Sequence, residues 1–247
     1  MASTKLDRPF YKLMESVDSM GIYPQNQSLG DSYDYKSSRS VHQLEGGALP
    51  SFEPEFGTIL MEEDANLTDI VSSAPIPNSG ILLSSRTKTI LDRFRLPPHR
   101  YFPVLLSQTG KTVEGYYWLQ ISEPKGALDA VDFGNSNFQL QSIIPNKSHC
   151  TLEIKTIEEF HEELASLSKY EKKHSIELGA HIECTSYRMN EDFLDRYDLF
   201  RINRFDIEFN LRKEVRTTFE EAGITGVEFK IPSRLKMNSP QIGGGNG

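Results

Sequence analysis

The chain has 247 residues, with 35 acidic against 27 basic side chains and a formal net charge of −8. A chain of this length buries enough of its surface on folding to need no disulfide or metal staple. The acidic balance speaks against nucleic acid as the main ligand, because neutralising phosphates takes clustered Lys and Arg.

Two cysteines, Cys150 and Cys184, form no CxxC pair, which reads as two reduced thiols in a cytoplasmic protein. The N-terminal stretch is interrupted by Asp7, Arg8, Pro9 and Glu15, so it lacks the apolar core of a secretory signal. The longest uncharged stretch, Ile70 to Ser85, carries Pro75, Pro77, Asn78 and Gly80 and cannot cross a bilayer. The expectation is a soluble protein that uses no membrane.

In chain order, Phe10 to Met14 is the best candidate for an early strand. From Pro24 to Gly57 the composition is dominated by Ser, Gly, Asn, Gln, Pro and Asp with single scattered hydrophobics, which predicts an irregular, partly mobile arm. Regular structure is expected from Gly80. Ile81-Leu82-Leu83 is a short apolar run, Ser84 or Ser85 can cap a helix, and Ile90, Leu91 and Phe94 fall on one face of it before Pro97-Pro98. Tyr101 to Leu106 and Val113 to Ile121 flank Gln108-Thr109-Gly110-Lys111 as a β-hairpin. Both faces of its second strand are largely apolar, so that strand should be central and covered.

Farther on, Phe138 to Gln141 and Cys150 to Ile154 alternate like strands, with Pro145-Asn146-Lys147 as the turn between them. Thr156-Ile157-Glu158-Glu159 has the form of a capping box opening a helix with Ile157, Phe160, Leu164 and Leu167 on one face. Leu199 to Ile202 is strand-like. Leu211, Val215, Phe219 and Ala222 make a helical stripe closed by Gly223, and Val227, Phe229 and Ile231 alternate as a half-buried strand. The residues from Asn238 onward, rich in glycine, are expected to be a flexible tail.

The mixture lacks a regular βαβ rhythm. It predicts an α+β fold with a mixed, mainly antiparallel sheet and a few packed helices, preceded by an irregular N-terminal arm. The expected organisation is an arm over 1–80, one α+β domain over 81–235 and a tail over 236–247.

Catalytic and metal patterns fail one by one. The glycine clusters at Gly46-Gly47 and Gly243 to Gly245 lie in irregular segments, so no phosphate loop is expected. His181-Ile182-Glu183-Cys184 contains the H-x-E half of a zinc-deaminase signature without the downstream cysteine pair. His161, His174 and His181 show no i, i+4 spacing that would ligate a metal. No catalytic residue, cofactor or metal is therefore expected. Between Thr151 and Phe200, twelve acidic residues face six basic ones, which concentrates most of the net charge in one fifth of the chain. That concentration is either a solvated face or a docking surface for a basic partner.

The segment from Ile81 to Ile231 resembles a family of bacterial immunity proteins, the eleventh catalogued in polymorphic toxin systems and formerly a domain of unknown function. The resemblance lies in Ile81 to Ser85, in the hairpin from Phe102-Pro103-Val104 to Tyr116-Tyr117-Trp118-Leu119 with Asp129 and Ser136 after it, and in Asp198 to Ile202 followed by Ala222 to Phe229. Phe209-Asn210-Leu211-Arg212 departs from the family, which has a Ser-Glu helix start there. The resemblance implies a cytoplasmic protein that binds and neutralises a cognate toxin without a cofactor. On that reading the contact surface is expected at Glu158, Glu159, Glu162 and Glu163 and at Glu191, Asp192, Asp195 and Asp198. Arg201 is expected to anchor an internal acid. A general interaction module with no toxin partner, and an enzyme, remain the competing readings. The oligomeric state is not legible in the sequence.

Overall fold

The computed structural model describes residues 10–30, 33–76, 80–144, 146–174, 176 and 179–236. The chain divides into two compact units. One comprises Phe10–Lys125 and Arg196–Ile231, and the other comprises Gly126–Asp195 together with the described residues from Pro232 to Lys236.

The larger unit begins with β1 (Phe10–Glu15), α1 (Val17–Met20), β2 (Asn26–Ser28), β3 (Thr58–Met61) and β4 (Ile70–Val71). It continues through β5 (Ile81–Ser84), α2 (Ser85–Leu91), β6 (His99–Gln108) and β7 (Lys111–Ile121). Among the described residues, one sheet of this unit has the six-strand order β2-β3-β6-β7-β5-β4. Only the β3–β6 pairing in it is parallel. The predicted hairpin is β6–β7, in register from His99 opposite Ile121 to Gln108 opposite Lys111. Strand β7 lies between β6 and β5, and Tyr116, Trp118, Leu119, Gln120 and Ile121 are all buried, as two apolar faces require.

The smaller unit supplies β8 (Asn137–Ser142), β9 (Lys147–Leu152), α3 (Ile157–Ala165), α4 (Leu167–His174), β10 (His181–Ser186) and α5 (Glu191–Leu194). Its antiparallel sheet runs β10-β8-β9. Phe138 on β8, Phe160 on α3 and Phe133 cluster with ring centroids 5.6–5.7 Å apart. Ile182 and Cys184 point inward from β10 while His181 is exposed, so the H-x-E stretch is an ordinary alternating strand.

The chain then returns to the larger unit with β11 (Leu199–Phe200), β12 (Phe209–Arg212), α6 (Lys213–Glu221) and β13 (Val227–Lys230). A second sheet there has the order β11-β12-β1-β13, antiparallel throughout. The fold is thus α+β with mainly antiparallel sheets. Among the described residues no helix is long and apolar enough to cross a membrane.

Four expectations need correction. Residues 10–76 do not stand apart as an arm: β4 pairs with β5 across the expected boundary at 80, β3 pairs with β6, and β1 is an inner strand of the second sheet. The segment 24–57 is irregular over most of its length, yet Leu29, Val41, Leu44 and Phe56 insert into the core beside Trp118. Anchors placed singly along coil leave no period to read. Nor is 81–235 one domain, since 126–195 belong to a unit of their own. Finally, Leu211 lies in a strand rather than on the helical stripe, because Phe209–Arg212 are all buried in β12 before α6 begins at Lys213. Ile231, expected inside, is 82% exposed beyond the end of β13. The expected tail from 237 onward, together with Pro145 of the expected turn, Pro77-Asn78 and Glu177, lies outside the described residues.

Candidate functional site

The carboxylates expected at a contact surface meet different fates. On α3 the Thr156 Oγ1 accepts the Glu159 N–H at 3.1 Å, and the Glu159 Oε2 accepts the Lys155 N–H at 2.6 Å. The capping box is real, with its carboxylate closing on the residue ahead of the cap. Glu163 accepts the Tyr170 hydroxyl at 2.6 Å, and that bond, followed by burial, pushes the Tyr170 phenol up to about 12. Glu158 and Glu162, one helical turn apart, are exposed and have no ion pair among the described residues. Charge there is uncompensated except by the N-terminal end of the helix dipole.

Glu191 and Asp192 occupy the first turn of α5, which Asn190 caps by accepting the Phe193 N–H at 2.8 Å. Acids in a first helical turn have a local reason to be there, because they offset the helix dipole. Asp195 is exposed at the other end of α5. Asp198 lies in the larger unit with its side chain only 13% exposed, and its carboxylate is engaged by Arg95 and, at 3.4 Å, by Arg212.

Arg201 is buried, as an anchoring role requires. Its guanidinium donates to Asn203 Oδ1 at 2.7 Å and to the Ile207 carbonyl at 3.2 Å, and it lies 5.1 Å from the centre of the Phe209 ring. Burial lowers its pKa to about 10 against the opposing charges of Asp206 and Glu123. Burial likewise raises Glu123, opposed by the hydrogen bond from Asn203 N and by the Arg201 and Arg204 charges. These groups form an internal electrostatic knot.

In the smaller unit Ser142 Oγ and His149 Nε2 lie 2.7 Å apart. A serine activated for attack needs an approach path and an orienting group on the far imidazole nitrogen. Ser142 is 2% exposed, and no carboxylate hydrogen-bonds His149 among the described residues. Likewise, no group of three or more His, Cys, Asp or Glu side chains among the described residues is placed to hold a metal ion.

One concavity of the larger unit has no forerunner in the sequence reading. It is an open cleft of about 560 Å³ whose lining includes the apolar residues Leu13, Ile70, Ile81, Leu82 and Phe209. Glu15, Arg201, Glu208, Glu228 and Lys230 contribute charge to its walls, and Val17, Tyr23 and Ile207 stand among its lining residues. These residues come from β1, α1, β4, β5, β12, β13 and the coil between them. No local spacing could have announced the site. The nearest signal was Glu15 itself, a carboxylate at the end of the strand Phe10–Glu15.

Neither the protein-family models nor the curated proteins contain a match to this chain.

Proposed function

We propose that this chain is an immunity protein that binds a cognate bacterial toxin domain in the cytoplasm and neutralises it by direct contact, without chemistry of its own. The observation that carries this reading is the exposed Glu158–Glu162 pair on α3, an uncompensated acidic face in a chain of net charge −8. Such a face favours a basic partner, through faster encounter and charge complementarity. The resemblance of the Ile81–Ile231 segment to immunity proteins supports the nature of that partner. Arg201 and Ser142 are both buried, so neither the Arg201 guanidinium nor the Ser142 hydroxyl is presented to solvent, which agrees with a role in binding.

The test is co-expression with the toxin domain encoded beside this chain, scored by growth rescue and by direct affinity. Because Glu159 and Glu163 also hold α3 and Tyr170 in place, the informative variant is E158K together with E162K. Reversing two uncompensated charges should weaken binding by about tenfold or more. Unchanged affinity removes α3 as the contact, and absent rescue by the unmodified chain removes the toxin reading.

A further inference from the structure

The cleft of the larger unit holds three carboxylates, and two are already neutralised. Glu208 accepts Lys12 Nζ at 2.8 Å, and Glu228 pairs with Lys230 Nζ at 2.7 Å. Glu15 has no ion pair among the described residues. It is nevertheless held in a set position, because its Oε1 accepts both the Ser73 N–H at 2.9 Å and the Ser73 Oγ at 3.0 Å. The Tyr23 phenol lies beside it and is raised above its ordinary pKa, chiefly by the Glu15 charge and then by burial. Arg201, a buried positive group of the cleft lining, is turned toward Asn203 and the Ile207 carbonyl and is opposed by Asp206 and Glu123. The cleft therefore presents an oriented carboxylate with no counter-charge.

The lips are apolar and wet. Val17 is 54% exposed, Tyr23 52% and Ile207 77%, so three of the chain's exposed large hydrophobics gather at one opening. A local gathering of this kind at a concavity marks a binding surface more often than scattered exposed apolar residues do. An apolar collar around a fixed anion matches one sort of side chain, with an alkyl stem and a cationic head. Arg and Lys have that construction, and Arg is also enriched among residues that dominate protein interfaces.

We propose that this cleft receives a basic side chain from an extended, partly apolar segment of the partner protein, with Glu15 as counter-charge and Val17, Tyr23 and Ile207 clasping the stem. The proposal rests on the reading that the chain acts by binding a basic protein, and it places a second contact in the larger unit, separate from α3. Cationic head and apolar flanks are both required: the head explains the unpaired Glu15, and the flanks explain the exposed lips.

The probe is acetyl-Leu-Arg-Leu-amide, compared with the same peptide carrying Gln in the centre, each titrated into the full chain with methyl-labelled Val, Leu and Ile. The Arg peptide should bind with a Kd on the order of 1 mM or tighter. It should shift the Val17 and Ile207 methyl signals, and the Gln peptide should bind about tenfold more weakly or worse. E15Q keeps an acceptor for Ser73 and should abolish the preference for Arg, whereas I207S should weaken both peptides alike. Thermal melting checks that each variant is folded, and should E15Q unfold, the Arg-against-Gln contrast on the unmodified chain decides. Equal binding of the two peptides, shifts confined to other surfaces, or no binding by either would each overturn the proposal. The toxin takes no part in this experiment, and E158K with E162K should leave peptide affinity unchanged, so a failure at α3 and a failure at the cleft are told apart.

Discussion

Asp198 and Arg95 meet in a closed fork. The Asp198 Oδ2 accepts both the Arg95 backbone N–H at 2.8 Å and its Nε–H at 3.1 Å, while Oδ1 accepts Nη2 at 2.7 Å. On the other side Arg212, with a side chain only 4% exposed, approaches Oδ1 at 3.4 Å. Burial alone would raise the Asp198 carboxyl, but the hydrogen bonds from Arg95 and the charges of Arg95 and Arg212 outweigh it and hold the group below its ordinary value. A carboxyl depressed in the folded state adds stability above its unfolded pKa of roughly 3.9, and loses that contribution as pH falls through the folded value. D198N should therefore cost roughly 2 kcal/mol in urea unfolding at neutral pH, the order expected for losing hydrogen bonds to charged groups. The gap between the two proteins should hold steady across pH 5–8 and narrow below about pH 4. A gap that narrowed already at neutral pH would contradict the assignment.

How far these features could be read beforehand follows from whether their residues are neighbours in sequence. The β6–β7 hairpin, β8 and the α3 cap are local: each is written in an alternation, a turn or a hydroxyl-to-carboxylate spacing, and each is found where it was expected. Inner strand β1 was legible as a strand, but its partners are β12 and β13, about two hundred residues away. The single anchors Leu29, Val41 and Phe56 sit in coil, which conceals them from any periodic reading. Charge was the weakest guide. Among eight acids chosen by sequence crowding, Asp198 proved to be an internal anchor and Glu159 and Glu163 hold hydrogen bonds within their own unit. Crowding along a chain does not reveal which carboxylates already have donors.

The cap on α3 makes a cleaner local test. Thr156 satisfies the Glu159 N–H, one of the donors that the first helical turn leaves without a carbonyl. T156A should destabilise the smaller unit by about 1 kcal/mol, and T156S should restore most of the loss. Equal stability of the Ala and Ser variants by chemical denaturation would show that the hydroxyl does not cap the helix.

Two glycines close to each other in sequence should respond differently to the same substitution. Gly223 follows α6 with φ +62° and has nothing within 4 Å of where a Cβ would stand. Gly226, just before β13, has φ +83°, and a Cβ there would collide with the Ile70 carbonyl oxygen and the Thr68 side chain. G223A meets only the left-handed backbone penalty, about 1 kcal/mol. G226A adds a clash with backbone that is itself fixed, since Ile70 N–H donates to the Thr225 carbonyl at 3.0 Å. Its cost should exceed that of G223A by at least about 2 kcal/mol, measured as the difference in unfolding free energy. Similar losses for the two variants would mean that the 68–70 segment moves aside.

His149 provides the pH signature of the smaller unit. Its Nε2 lies 2.7 Å from Ser142 Oγ, and its ring centroid is 5.4 Å from that of His174. Partial burial, followed by the positive charges of Lys147 and His174, holds the imidazole below its ordinary value of 6.5. All three act against the protonated form, so on acidification the unfolded chain takes up this proton before the folded one does. The sign follows directly: this histidine makes the unit less stable as pH falls, beginning near the unfolded value. An NMR titration should place the His149 midpoint below 6.5, and K147Q should move it upward by removing one of the repelling charges. A midpoint at or above the ordinary value, or one indifferent to K147Q, would mean that the ring is solvated and that the Ser142 contact does not persist in solution.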